Sequence, residues 1–369
     1  MDGESDDYGY GRLYEIQYAF DEGRAQTCLK NKLKLLIIGA ALLVVGGIGF
    51  GLTFDNNNVD RGEAYHREWQ LADGDISQIK LMGDQDLRVN VAESTTGKSY
   101  VTMSGHLSQE AINRLDKSVK PNQDNIAIVV ENEQEWFQFL DFQIYGEQKV
   151  TIHLAKGAKL GELASDISSS DLVLHDVTAK TISLESGSGE IEASNLTADA
   201  TSVKNSSGDI DLKNVTSNLE IMNGSGESSV QGMTGDTLSA TSNSGDIEVN
   251  QVAAKTTTLE NGSGSIDGEQ VSGAVKVDNN SGDVELSGLD SATSVTSGSG
   301  EVDLTFSDVK KNVTVDANSG DVKIEIPAAF NGFLDLRSNS GDIKSPNIKT
   351  SGNQVIKVRT GSGNIKVEQ

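Results

Sequence analysis

A short pattern, Ser-Gly-acid followed by a β-branched residue, returns down the chain as "SSGDIDL", "NSGDIEV", "NSGDVEL", "GSGEVDL", "NSGDVKI" and "NSGDIKS". Its serine falls at Ser188, Ser207, Ser225, Ser244, Ser263, Ser281, Ser299, Ser319, Ser340 and Ser362, at intervals of 18 to 22 residues. A degenerate copy, "SSSDLVL", places Ser169 nineteen residues before Ser188. Self-similarity at a fixed period near 19 marks a solenoid or a radial array, in which one small unit stacks on copies of itself.

The apolar residues keep a fixed phase to each serine. Six and four positions before it come pairs such as Leu219 and Ile221, Val275 and Val277, Val313 and Val315; three and five positions after it come Ile210 and Leu212, Val284 and Leu286, Val322 and Ile324. Both runs alternate like half-buried strands. The last inward residue before the serine and the first after it are seven apart, an odd number, so an unbroken strand would turn one of them to water. The chain must bend at each Ser-Gly. Glycine supplies a positive φ or a close backbone approach, and Ser with the preceding Asn offers hydrogen bonds to main-chain groups freed by the corner. An apolar residue eight after the serine (Leu196, Val215, Met233, Val252, Val271, Leu289) is expected to point inward at the far side of each unit.

The residue before the serine alternates: Gly187, Ser206, Gly224, Asn243, Gly262, Asn280, Gly298, Asn318, with a break at Asn339. Either each coil is one 19-residue unit with all corners in a single ladder, or each coil holds two units with corners on opposite edges. The first is favoured. A propeller with blades near 37 residues lacks the four strands that each blade requires.

The expected fold is all-β, a repetitive β-solenoid of about 19 residues per unit over 161–369, with an irregular β cap or first coils over 66–160 and a tether over 55–65. Ahead of these lies "LLIIGAALLVVGGIGFGLTF", Leu35 to Phe54, twenty uncharged residues and long enough for one transmembrane helix. Lys30, Lys32 and Lys34 precede it, while Asp55, Asp60 and Glu63 follow, so the tail 1–34 is expected in the cytoplasm and the rest outside. No Ala-x-Ala-like site closes the run as in a cleaved signal peptide. Cys28 is the single cysteine, a juxtamembrane thiol open to acylation, and it excludes an internal disulfide.

The net charge of −25 disfavours nucleic acid as a partner. Residues 1–54 hold five basic and seven acidic residues, which leaves −23 on the remainder. Cationic peptides, an envelope protein or another surface ligand fit such a region better. Within the cap, "EWFQFLDFQIYG" gathers Trp136, Phe137, Phe139, Phe142 and Tyr145. It reads first as an aromatic plug over the end of the stack and second as an exposed binding patch.

A β-helix enzyme acting on glycans is the alternative, since such enzymes pair carboxylates on one exposed face. The candidates here, Asp209, Asp246, Asp283, Asp321 and Asp342 with Glu190, Glu227 and Glu301, recur at every corner instead of meeting in one cleft. Turn chemistry accounts for them better, so no catalytic residue and no cofactor are assigned. Calcium-binding β-rolls repeat every nine residues with a further glycine; here the spacing is doubled, and Ser265 and Asn364 replace the acid. His66, His106, His153 and His175 lack metal-ligand spacing, so no metal site is assigned either.

"KVTIHLAKGAKLGELASDISSSDLVLHDV", the serial "SGDI" and "SGEV" corners and "VKIEIPAAFNGFLDLRSNSGDIK" resemble the "putative adhesin" β-strand-repeat domain of unknown function of membrane-anchored bacterial envelope proteins. The resemblance covers about residues 66 to 369. Members with an N-terminal helix are similar to the anchored proteins of Lia-type envelope-stress operons. It implies a β-solenoid-like ectodomain, a role in adhesion or envelope stress, and no catalytic residues. The expected function is therefore a non-enzymatic, single-pass, extracellular binding or sensing module.

Overall fold

A computed structural model describes residues 62–130 and 146–369. Its N-terminal part contains β1 (Glu63–Gln70), β2 (Ile76–Gly83), β3 (Leu87–Glu93), β4 (Tyr100–Leu107), helix α1 (Gln109–Ser118), β5 (Asn125–Val130), β6 (Gln148–Leu154), β7 (Leu160–Ile167), β8 (Leu172–His175) and β9 (Thr181–Ser186). β2 and β3 form a coil around the corner Asp84–Asp86. In parallel pairing, β5 and β6 lie on one side of that coil and β7 and β8 on the other. The first coil in sequence is thus the second in the stack. β4 and then β1 extend the sheet antiparallel from β6.

Helix α1 starts where Ser108 Oγ accepts the Ala111 N–H, a cap that satisfies one of the orphan donors of the first turn. Its apolar side, Ala111, Ile112 and Leu115, is buried in the same core as Tyr65 and Trp69 of β1. The buried Gln148 joins the layers: it accepts from Tyr65 Oη at 3.0 Å and donates to the His106 and Gly146 carbonyls.

The repeats then follow as β10 (Ile191–Asn205), β11 (Ile210–Ser225), β12 (Ser228–Ser244), β13 (Ile247–Asn261) and β14 (Ile266–Asn279), each running through a whole coil. The half after the corner stacks in register as Ile191, Ile210, Ser228, Ile247 and Ile266, and forms a front sheet. The half before the next corner stacks as Val203, Ile221, Ala240, Leu259 and Val277, and forms a back sheet. One coil is one 19-residue unit, as expected, and about eleven such turns make the solenoid. The inward rows from both sheets meet in one core, each fully buried aliphatic side chain contributing about 1.5–3 kcal/mol. Leu196, Val215, Met233, Val252, Val271 and Leu289 are buried at the far edge, also as expected.

The remaining strands are β15 (Val284–Leu289), β16 (Thr293–Ser299), β17 (Val302–Phe306), β18 (Val313–Ser319), β19 (Val322–Glu325), β20 (Phe333–Ser338), β21 (Ile343–Lys344), β22 (Val355–Ser362) and β23 (Ile365–Glu368). The order of stacking changes here. β22 lies between β18 and β20, and β23 between β19 and β21, so the last coil of the chain is inserted beneath the one that precedes it. Read along the stack, the residues before the serines become Asn318, Gly361, Asn339. The break in the alternation at Asn339 disappears once the coils are in their spatial order.

Among the described residues no helix is long and apolar enough to cross a membrane. Leu35–Phe54, Cys28 and the aromatic segment Trp136, Phe137, Phe139, Phe142 and Tyr145 lie outside the described residues.

Candidate functional site

Each corner is tied to its neighbours through main-chain and side-chain groups. Gly282 has φ +110°, and its N–H donates to the Ser299 carbonyl at 3.0 Å. In alternate coils the aspartate that follows the glycine ties its coil to the next. Asp209 Oδ1 accepts the Glu227 N–H at 2.8 Å, Asp283 Oδ1 that of Glu301 at 2.7 Å, and Asp321 Oδ1 that of Asn364 at 2.8 Å. Asp171 and Asp246 do the same for Glu190 and Ser265, and Asn364 Oδ1 accepts the Asp342 N–H at 2.9 Å. Asp and a second residue type (Glu, Ser or Asn) alternate along this column, Asp bonding upward to the next coil. The superperiod near 37 thus has a physical origin.

The second half of that alternation is steric. A Cβ on Gly361 would stand 2.6 Å from the Asn318 carbonyl oxygen of the coil beneath, and the other glycines before serines meet the same obstacle. One expectation is corrected here. The asparagines that bond to the corner backbone lie two positions before the serine and are buried: Asn205 Nδ2 donates to the Gly189 carbonyl at 2.7 Å and Asn261 Nδ2 to that of Gly245 at 2.9 Å. Asn243 and Asn280, directly before the serine, are exposed. A side chain at that site follows an inward residue by an odd step and so turns outward.

The acids expected from the sequence, Asp209, Asp246, Asp283, Asp321, Asp342, Glu190, Glu227 and Glu301, form one file along the edge, and three of them, Glu301, Asp321 and Asp342, line a pocket together with Lys323, Lys344 and Lys366. Beside this file runs a second row that the sequence reading did not single out. Glu192, Asp211, Ser229, Glu248, Asp267, Glu285 and Asp303 are register partners on successive strands of the front sheet, at a spacing of about 4.8 Å. Its signal was a constant offset of four from each serine. The row ends against Lys323, whose ammonium bonds Asp303 at 3.0 Å and Glu325 at 2.7 Å.

Like charges at such spacing repel, and protonation relieves them. Glu190, Glu227 and Asp267 all titrate above the usual carboxylate range, first because of burial and then because of their carboxylate neighbours, such as Asp171 for Glu190, Glu248 for Glu227 and Glu285 for Asp267. In these groups the folded state holds protons that the unfolded chain has already lost, so stability grows as pH falls toward the unfolded value of about 4. Asp116 and Glu147 behave oppositely, held low by hydrogen bonds from Arg67 and Arg88, and their contribution is lost as pH falls through their folded values. Melting temperature is therefore expected to rise from pH 7 to about 5 and to fall below about 3.5. A steady decline from pH 7 downward would contradict the burial and mutual repulsion of carboxylates in the two files.

The opposite edge carries its own ladder. Asp176, Asn195, Asn214, Gln251 and Gln270, seven after their serines, have φ of +56° to +58°. Asn195 Nδ2 donates to Asp176 Oδ1 at 2.8 Å, and Asn214 Nδ2 to Asn195 Oδ1 at 3.0 Å. Amides tolerate this conformation through local hydrogen bonding. The histidines are scattered: His175 bonds Ser194 and Arg88, and His153 stacks on Tyr100 with ring centroids 4.3 Å apart.

The family model described as Toastrack DUF4097 matches residues 76–267 and 202–368. Several solved structures are similar. A "putative adhesin" from Parabacteroides distasonis is 13% identical with a TM-score of 0.32, and one from Bacteroides fragilis is 10% identical with a TM-score of 0.24. Each alignment covers 83% of this chain and 97% of the other. A "putative lipid binding protein" from Parabacteroides distasonis is 14% identical at a TM-score of 0.28, over 83% and 98%. At such scores the similarity carries no functional argument. No curated protein matches the chain.

Proposed function

We propose that this chain, which belongs to the Toastrack DUF4097 family, works as a non-enzymatic binding module of the cell envelope. In this reading Leu35–Phe54 anchors it in the membrane, the tail 1–34 is cytoplasmic, and the solenoid stands outside as an adhesion or stress-sensing surface of the Lia type. The observation that carries the binding role is the double file of carboxylates on the front sheet. In its corner file Asp209, Asp246, Asp283 and Asp321 are occupied in holding coils together, while its outer row from Glu192 to Asp303 faces away from the core. A long anionic strip, interrupted at Ser229, suits an extended cationic partner, such as a membrane-active peptide or a basic segment of another envelope protein, better than it suits one small substrate.

Titration of the chain with a cationic membrane-active peptide tests this. Binding is expected at low salt and is expected to weaken steeply at physiological salt, where the Debye length is about 8 Å. Acidic wall polymers are expected to bind only when divalent cations bridge them. Absence of peptide binding at low salt, or binding indifferent to salt, would remove the electrostatic mechanism.

A further inference from the structure

The two ends of the stack are finished differently. At the N-terminal end β1, β4 and α1 close the core. At the other end β20 and β21 pair with β22 and β23, and among the described residues no strand pairs with their outer edge. The apolar side chains there are uncovered: Phe333 is 49% and Ile343 44% exposed, while Leu334, Leu336 and Ile348 are half-buried. The N–H groups of Phe333 and Asn339 point inward to the Gln354 and Thr360 carbonyls, so strand alternation turns the main-chain groups of Leu336 outward. On β21 the Asp342 carbonyl accepts the Ile365 N–H, which leaves the groups of Ile343 outward as well.

Both free strands carry the same charge order around these residues, Asp335-Leu336-Arg337 and Asp342-Ile343-Lys344. We infer that a second copy of this chain closes this end, related to the first by a two-fold axis through Leu336 and Ile343. An antiparallel strand centred on Leu336 exchanges two main-chain hydrogen bonds there, and sets Asp335 opposite Arg337 of the second copy and Arg337 opposite its Asp335. The same operation on β21 sets Asp342 opposite Lys344. Registers centred on Asp335 or Arg337 place like charges opposite each other and are disfavoured.

Leu336 lies four before Ser340 and Ile343 three after it, the inward positions on either side of the corner, so one axis serves both strands. A dyad gives a closed dimer and protects the edges of both sheets at once, whereas a single foreign strand pairs only one. The inference goes beyond the anionic-face reading and does not depend on it.

Sedimentation of the full-length chain in mild detergent is the test. A concentration-dependent dimer is expected. Arg337→Glu sets Glu opposite Asp335, and Asp335→Arg sets Arg opposite Arg337; each is expected to weaken the dimer at least about tenfold. An equimolar mixture of the two variants is expected to restore association as a mixed dimer. Asp335 also pairs with Arg359, so the exchange is repeated with Asp342→Lys and Lys344→Asp on β21. A chain that stays monomeric, a dimer indifferent to both sets of reversals, or mixtures that do not recover would each overturn the inference.

Discussion

Gly282→Val is expected to destabilise the solenoid by about 3–5 kcal/mol in denaturant titration, a large effect for one surface corner. Two causes act together. Gly282 sits at φ +110°, which a β-branched residue adopts only under strain, and a Cβ there would stand 2.2 Å from the Gly264 carbonyl oxygen of the coil beneath. Main-chain atoms of two stacked coils cannot yield without opening the ladder. Because each coil touches only its neighbours, the damage should divide the stack near this coil and broaden the transition. Asp283 gives the control. Asp283→Asn keeps an oxygen for the Glu301 N–H and should cost little, since Asn364 already fills the same role toward Asp342. Asp283→Ala removes that acceptor and should cost about 1–2 kcal/mol. Equal losses for the Val and Asn variants would mean that the corner is held by something other than its glycine.

Truncation after Lys349 should be more damaging than its position suggests. In a strictly serial stack it would remove a last, outermost coil. Here it removes β22 and β23 from beneath β20 and β21, with the fully buried Ile356, Val358, Ile365 and Val367. The outer coil cannot simply settle one layer down, because Asn339 would then occupy the place of Gly361, where a Cβ meets the Asn318 carbonyl. A loss of at least about 3 kcal/mol is expected, given about 1.5–3 kcal/mol for each buried aliphatic side chain. Adding Asn339→Gly to the truncated chain should recover part of it. A truncated chain as stable as the intact one would contradict the exchanged order, as would an Asn339→Gly change without effect.

The repeat was legible because it is local. Strand phase, the odd step across Ser-Gly and the inward residue at the far edge all follow from spacing along one coil, and Ile210, Leu212, Leu219 and Ile221 are buried as that spacing requires. The exchange of the last two coils is a non-local choice, and its traces in the sequence were the second consecutive asparagine at Asn339 and the second consecutive aspartate at Asp342. The outer acid row was visible in principle at a fixed offset from each serine, but charges at Glu192 or Asp267 mean little until the strands are laid side by side. The corner acids were legible as turn residues and not as ties, because a bond from Asp283 to the Glu301 N–H joins residues 18 apart in sequence.

The order of the corners underlies both the binding face and the open end, and disulfide mapping in a Cys28→Ser background measures it directly. Ser319 and Ser362 are register partners, so Ser319→Cys with Ser362→Cys places two cysteines on adjacent strands, their Cα atoms about 4.8 Å apart and within disulfide reach. Ser319→Cys with Ser340→Cys places them two layers apart, about 9.6 Å and beyond it. Rapid oxidation of the first pair and none of the second is the expected result. Crosslinking of Ser319→Cys to Ser340→Cys in place of Ser362→Cys would show a serial stack and contradict the architecture described here.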